Sequence, residues 1–528
     1  MRVGVFWRSV VLAVVGVLVL AGCALGPSQR PPVAVRGAET AGPPTGAEAA
    51  PADPNTLPAP EPQNPLIEYS DCTADTLEAI GAAGAAVPAG RVLSASCGLL
   101  EVDSDPLRRG AETTRLGVLR VSAADAPRNR PALVVVGDSA GGGSARLAAR
   151  LATLVSDEVL ATYQLVGLDR RGTGADLLDC APPDSRAALT DVPPVPDAAL
   201  LDGVLEDARA VVQDCYLLLD SDIATYRTAA TAADLEILRT QLRVTHLDVL
   251  GLGDGATAAA SWAAAHPRSV GRLVLDSPVD LAGTEPDRTE ARAAAAETTF
   301  DAFAAACLAR GDCPLGPDPR GAVAAVVAGL GQRPLDSADG DRLTAGGALA
   351  AVRAGLPEPA RWPALAAGIA AARAGDPSGL FGFLAPVIGA SGSFDGALAT
   401  ACNDSAQRLA PPQVAQLAQR WSTQYPLFGA AAAHGLLACG PWPTSPGEPE
   451  IGALPPEASP VLVLGTAADP RAPVTGSQRI AQLLGRSAFV SWQGAGQGAY
   501  PRNACVVALV EQTLVTGTLP RDGTVCPA

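Results

Sequence analysis

The chain has 528 residues, 54 Asp plus Glu against 38 basic residues, a formal net charge of −16 and a pI near 4.7. All the basic residues are arginine, because the chain contains no lysine. An acidic surface without lysine-rich stripes repels phosphate backbones, which argues against nucleic acid as a partner and against charge-driven adhesion to anionic lipid.

The first segment is an address. Arg2 and Arg8 precede an apolar run from Val10 to Leu20, and Leu20-Ala21-Gly22-Cys23 closes it with small residues before a cysteine. The run is shorter than the roughly 20 residues a membrane-spanning helix needs. The pattern predicts a lipoprotein signal peptide over residues 1–22, lipidation at Cys23 and an extracytoplasmic protein anchored to the outer face of a bacterial cell membrane. Residues 23–66 are rich in Pro, Ala, Gly and Glu, too poor in large apolar side chains to fold, and read as a tether.

Ten cysteines follow Cys23, and an even number in an exported chain reads as a disulfide framework. Neighbour pairing would close short loops, but spacing does not by itself select that connectivity. No CxxC occurs, and His246, His266 and His434 have no ligand spacing to the cysteines, so no metal site is expected. Nothing points to a cofactor.

From Cys72 onward, short β-branched runs alternate with alanine-rich helical stretches. The runs are Ala132–Val136, Tyr163–Leu168, Leu247–Leu250, Leu273–Leu275, Pro460–Leu464 and Ala488–Val490. Near-continuous apolar strands between helices predict an α/β fold: a mostly parallel sheet with helices on both faces. The core is expected over residues 67–280 and 460–528. Residues 281–459 carry helical patterns and few strand signals, which predicts a helical cap inserted over the sheet edge.

The stretch His246 to Leu281 reads HLDVLGLGDGATAAASWAAAHPRSVGRLVLDSPVDL: strand, glycine turn, small-residue helix, second strand. Around it stand YQLVGLDRRGTGADLLDC from Tyr163, PVLVLGTAADPRAP from Pro460, GAGQG from Gly494 and a closing block from Cys505 to Cys526. In this order the blocks resemble the secreted actinobacterial tripeptidyl-aminopeptidase family, with its TAP-like C-terminal region. The resemblance implies an α/β-hydrolase fold, a helical cap, and a Ser, Asp, His triad that releases short peptides. It also implies the disulfides Cys72–Cys97, Cys180–Cys215, Cys307–Cys313, Cys402–Cys439 and Cys505–Cys526.

The resemblance places glycine where the family has its catalytic serine. In the GxSxG elbow pattern the five positions are Gly251, Leu252, Gly253, Asp254 and Gly255, so the nucleophile position, Gly253, is vacant. The acid position is retained as Asp469. The base position, in the turn Gly494 to Gly498, is Gln497. Glycine has no attacking atom, and a glutamine amide does not accept a proton near neutral pH. The expectation is therefore a pseudoenzyme that binds a peptide, another small molecule or a protein partner through the old cleft.

The alternative is an active hydrolase with relocated groups, for which Asp254 and His434 are the candidates. The oxyanion loop is expected in GDSAGGGSA, with Gly141, Gly142 and Gly143. Ser139, Ser144, Ser261 and Ser277 have no paired base, and Asp169, Arg170, Arg171, Asp276 and Asp280 are read as loop-holding groups, with Arg171 paired to a nearby acid.

Overall fold

The structure is a computed structural model that describes residues 66–106, 112–127, 129–338, 340–443 and 451–528. The signal peptide, the Cys23 lipidation site and nearly all of the tether lie outside the described residues.

The strands are β1 (Ser70–Asp71), β2 (Leu93–Asp103), β3 (Thr113–Ala123), β4 (Ala132–Val136), β5 (Gln164–Leu168), β6 (Leu247–Leu252), β7 (Val270–Asp276), β8 (Leu335–Asp336), β9 (Arg342–Leu343), β10 (Val461–Ala468), β11 (Ser487–Ala495) and β12 (Thr524–Cys526). Ten of them form one sheet in the order β1-β2-β3-β5-β4-β6-β7-β10-β11-β12. From β5 to β12 all neighbours are parallel, while β1, β2 and β3 join antiparallel. The chain is thus an α/β fold with a mostly parallel sheet.

Alternate residues of each central strand feed opposite faces. Val134, Val136, Val249 and Leu275 join one apolar core with Trp262 and Ile480 from flanking helices. Leu133, Val135, Leu250 and Val274 join the other with Val506 and Val510. Because helices cover both faces, these strands carry no polar alternation, and this is why their apolar runs are legible.

The β2–β3 hairpin escapes that reading. Its eleven-residue strands pair from Leu93↔Ala123 to Asp103↔Thr113. Both mix polar with apolar residues along their length, so no continuous apolar run announces them.

Between β7 and β10 the chain is helical apart from the short β8–β9 pair, with helices running from Glu285–Ala309 to Gly429–Gly435. The layer has its own aromatic core, in which Phe300 packs at a tilt against Phe303 and edge-on against Phe428 at ring-centroid distances of 5.4 and 6.3 Å, and Phe303 meets Trp362 at 5.8 Å. Residues between β5 and β6 also enter it. Leu201 and Val204 pack with Val414 and Trp421, and Val211 and Cys215 pack with Cys402 and Trp442.

The helical layer rests on the C-terminal ends of the parallel strands. Ser393 Oγ donates to Ala140 O, Thr299 Oγ1 donates to Ala468 O, and Gln497 N donates to Pro357 O. Five disulfides close local loops: Cys72–Cys97, Cys180–Cys215, Cys307–Cys313, Cys402–Cys439 and Cys505–Cys526. Such bonds belong to an oxidising, extracytoplasmic compartment. Among the described residues, no helix is long and apolar enough to cross a membrane.

Candidate functional site

The sheet order reverses direction around β4, which lies between β5 and β6. The loops leaving β4 and β6 therefore part at the C-terminal edge, the place where open α/β sheets put their ligands. The β6 turn is built for close approach. A Cβ on Gly251 would lie 2.5 Å from Ala256 Cα, and one on Gly255 would lie 2.4 Å from Gly137 O. Gly253, at φ 62° and ψ −129°, forms the apex before the helix Asp254–Ala265.

The space beyond Gly253 is filled. A Cβ there would lie 2.1 Å from Asp138 Oδ2. Asp138 leaves β4 with only 8% of its surface exposed, and its carboxylate stands where a nucleophilic side chain would project. Arg471 Nη1 holds that carboxylate at 3.2 Å and also donates to Gln497 Oε1 at 3.0 Å. Asp138, Arg471 and Gln497 thus form one polar chain at this edge. Burial, followed by the charge of Asp254, raises the proton affinity of Asp138, and Arg471 opposes both.

Asp469 is almost fully buried and accepts from Arg471 N at 2.9 Å, Ala472 N at 3.0 Å and Gly498 N at 3.0 Å. It ties the turn after β10 to the loop after β11, so it positions Arg471 and Gln497 without an imidazole to orient.

The two relocated-catalyst candidates, Asp254 and His434, are both held by neighbouring groups. Asp254 accepts from Ser139 N at 2.8 Å and Ser139 Oγ at 2.5 Å and forms an ion pair with Arg170. Arg170 is itself held by Thr228 and Thr231. A carboxylate engaged on both oxygens is a poor nucleophile, and it serves here as a brace between two loops. His434, the other candidate for a relocated group, is fully buried, with Nδ1 on the Pro193 carbonyl at 2.9 Å. His246 is beside Thr245 before β6, and His266 follows the elbow helix at its far end.

The glycine loop is occupied by its own chain. Gly137 N donates to Ser144 Oγ, Ala140 N to Asp138 Oδ1 and Gly141 N to Asp138 O. Gly142 and Gly143 take positive φ, and a Cβ on Gly143 would meet Asp169 Oδ1 and Gly174 Cα at 2.9 Å each.

The remaining polar groups hold loops. Asp169 accepts from Ala145 N and Ala175 N, Asp276 accepts from Ala499 N and Tyr500 N, and Asp280 pairs with Arg479. Ser277 Oγ donates to Asp276, and Ser261 stays on the elbow helix. Cys180, Cys215 and Asp395 come close enough to suggest a metal site, but the two sulfurs are bonded to each other and Asp395 pairs with Arg186.

Burial pushes Asp176, Asp248, Asp404 and Asp469 up to about 6. A raised folded value means that the native chain keeps protons which the unfolded chain releases near pH 4, so stability is greatest at low pH and falls as pH rises through 6. Buried His434, held below its usual value, opposes this as a single group. The carboxylates of Glu236, Glu285 and Glu358, held low, act only near pH 4 and below. The melting temperature is expected to be a few degrees higher at pH 5 than at pH 7.5, by thermal unfolding with the disulfides intact. A flat or opposite profile would contradict the assignment.

Two family models match the chain: the α/β hydrolase fold over residues 139–325 and TAP-like protein over residues 425–526. The chain belongs to the TAP-like α/β-hydrolases. It is similar to Carboxylesterase B of Mycobacterium tuberculosis, at 27% identity over 460 residues that cover 82% of this chain and 87% of the relative. Serine protease Hip1 of the same species is 24% identical over 461 residues, with the same shares. Tripeptidyl aminopeptidase of Streptomyces coelicolor is 27% identical over 189 residues, 35% of each chain.

The matched regions contain both the elbow and the late loops. The sequence reading of those loops missed Asp138 and Arg471. Arg471 directly follows the Asp469-Pro470 pair, and Asp138 lies inside the quoted glycine loop. The only available signal was a charged residue in each of two loops flanking the vacant serine position.

Proposed function

We propose that this protein is a lipid-anchored, exported pseudoenzyme that uses a hydrolase cleft to bind a peptide or another small ligand, with the helical layer as its cap. The observation that carries this reading is the Asp138 carboxylate filling the space next to Gly253, locked there by Arg471 and Gln497. An acyl-transfer site needs an attacking oxygen, a base and amides facing a developing oxyanion. Here the oxygen and the base are missing, and a carboxylate stands where the nucleophile would. The anchor reading rests on the segment ending at Cys23. The relatives' names, an esterase, a protease and an aminopeptidase, supply the substrate classes to try.

The purified full chain is expected to give no turnover above buffer with aminoacyl and tripeptidyl chromogenic amides or simple esters. A ligand that occupies the cleft is expected to raise the melting temperature with concentration, because it binds only the native state. Turnover that persists through purification and is lost in Asp254→Asn would overturn the pseudoenzyme reading in favour of relocated catalysis.

A further inference from the structure

On one flank the sheet ends in a strand whose outer edge is only partly used. β1 pairs with β2 at Ser96 and Cys97 alone, whereas β2 runs on to Asp103. Successive residues of a strand turn their N–H and C=O groups to opposite sides. At the two ends of the β2–β3 hairpin, Ala124 N donates to Val92 O and Ser104 N to Glu112 O, so the even-numbered residues of β2 bond toward β3. The odd-numbered ones face outward, since Cys72 N donates to Ala95 O and Arg171 Nη2 to Asp103 O. Leu99 and Glu101 lie between those two points. Their N–H and C=O groups point outward, and no strand among the described residues lies beside them.

The chain next to this edge turns away from it. Leu66 N donates to Gln241 O at 3.0 Å, and a Cβ on Gly98 would lie 2.8 Å from both Ile67 Cγ2 and Glu68 O, so residues 66–69 cross one face of β2 instead of prolonging β1 along its edge. A groove of about 1200 Å³ remains beside the free stretch. Its walls include Leu100 and Val118 from the core-facing side of the hairpin and Leu99 and Arg115 from the other, so the space wraps the edge itself. Leu99 and Leu66 are 50% and 54% exposed there and offer apolar contact. The charge of the groove is negative. Glu68, Asp75 and Glu101 are exposed, with no hydrogen bond or ion pair among the described residues, and Asp103 adds a fourth carboxylate. Arg115, opposite Glu101 across the hairpin, and Arg146 offset part of it. A second copy of this chain is a poor occupant, because antiparallel pairing of two β2 edges would set the same acids against each other.

We infer that the outer edge of β2 from Leu99 to Asp103 is a docking site for an extended, basic peptide segment of a partner protein, which adds to the sheet as a further strand. Its main chain takes up the outward groups of Leu99 and Glu101, which an exposed edge offers as a template. Alternate side chains of the segment rest on Leu99 and Leu66, and its cationic side chains pair with Glu68, Asp75 and Glu101. In the sheet, β3, β5 and β4 separate this edge from β6 and its elbow, so the inference does not depend on whether the cleft is catalytic.

The test uses the purified full chain and a labelled, end-capped hexapeptide of alternating arginine and valine, read by fluorescence anisotropy at low salt. Two control peptides carry glutamate in place of arginine, or methyl groups on the backbone nitrogens. The arginine peptide is expected to bind, more weakly as salt is added, and both controls are expected to bind at least about tenfold more weakly, because one loses the charge match and the other the strand pairing. Leu99→Pro is expected to weaken the arginine peptide by a similar factor while the chain stays folded, because the Leu99 N–H faces away from β3 and the ladder within the hairpin keeps its bonds. The double variant Glu68→Gln/Glu101→Gln, which leaves the backbone alone, is expected to weaken it as well, and it decides the matter if Leu99→Pro does not fold. Equal binding of the arginine and glutamate peptides, undiminished binding of the methylated one, or binding unchanged in both folded variants would overturn the inference. So would no binding of the arginine peptide. Self-association of the natural chain that Leu99→Pro abolishes, by sedimentation, would assign the edge to a second copy and overturn it too.

Discussion

The double variant Gly253→Ser/Gln497→His is expected to hydrolyse activated esters no faster than the natural protein, and the triple variant that adds Asp138→Gly is expected to hydrolyse them faster than both. Restoring two triad residues is insufficient, because the serine would be built into an occupied space. Its Cβ would lie 2.1 Å from Asp138 Oδ2, far inside van der Waals contact. The backbone at φ 62° adds strain on the order of 1–2 kcal/mol for a non-glycine residue. If the carboxylate gave way, it would still place negative charge beside an oxygen that must itself become negative.

Removing Asp138 clears the space and the charge together, and Asp469 is already buried next to the loop that would carry the new histidine. In subtilisin-type triads, loss of the serine or histidine lowers turnover by about 10⁶, so even a poorly aligned restoration should exceed the double variant by at least about 10²-fold. The measurement is nitrophenyl-ester hydrolysis by the two variants side by side, with matched melting temperatures. Activity in the double variant equal to that of the triple would show that Asp138 is not the obstacle.

Asp234→Ala is expected to destabilise the fold by about 3–5 kcal/mol, the largest stability effect of any single change considered. Arg171 and Asp234 meet through two hydrogen bonds of 2.9 Å, and the two side chains are 2% and 1% exposed. Arg171 also donates to the backbone carbonyls of Ser104 and Asp103, so it joins the end of β2 to the helix Thr228–Gln241 and the loop after β5. Deleting the acid leaves a buried guanidinium with two backbone acceptors, no hydrogen-bonded carboxylate and only the more remote charge of Asp176. Replacing both partners, as Arg171→Met with Asp234→Ala, should cost less than the single change, because no buried charge is then left unpaired. Denaturant unfolding of the two variants checks this. A single variant within about 1 kcal/mol of the natural protein would mean that water reaches Arg171.

The parallel core was legible because its strands are buried on both faces and carry uninterrupted β-branched runs, as in Ala132–Val136. The β2–β3 hairpin was not, because polar residues interrupt its apolar positions. The helices between Glu285 and Gly435 were visible from alanine-rich helical patterns. That Leu201, Val204 and Cys215 join the same layer was not visible, since periodicity reports the face a helix buries and is silent about which surface covers it. Likewise, the arginine pair after β5 promised a salt bridge without naming Asp234, which lies 63 residues away.

At the site, the sequence by itself determined that the elbow has glycine at its apex, that the base position holds an amide and that one acid survives. These are identities within motifs, and they follow from local spacing alone. Only the tertiary structure decided what stands against those positions. Asp138 and Gly253 come from different strands 115 residues apart, and Arg471 and Gln497 come from two further loops. They meet because the sheet order brings the C-terminal ends of β4, β6, β10 and β11 to one edge. The helical layer reaches that edge through a contact between Pro357 and Gln497 that no linear pattern encodes. Charge is conspicuous along a chain, but its partner is set by where the backbone closes, and here the closure brings Arg471 between Asp138 and Gln497.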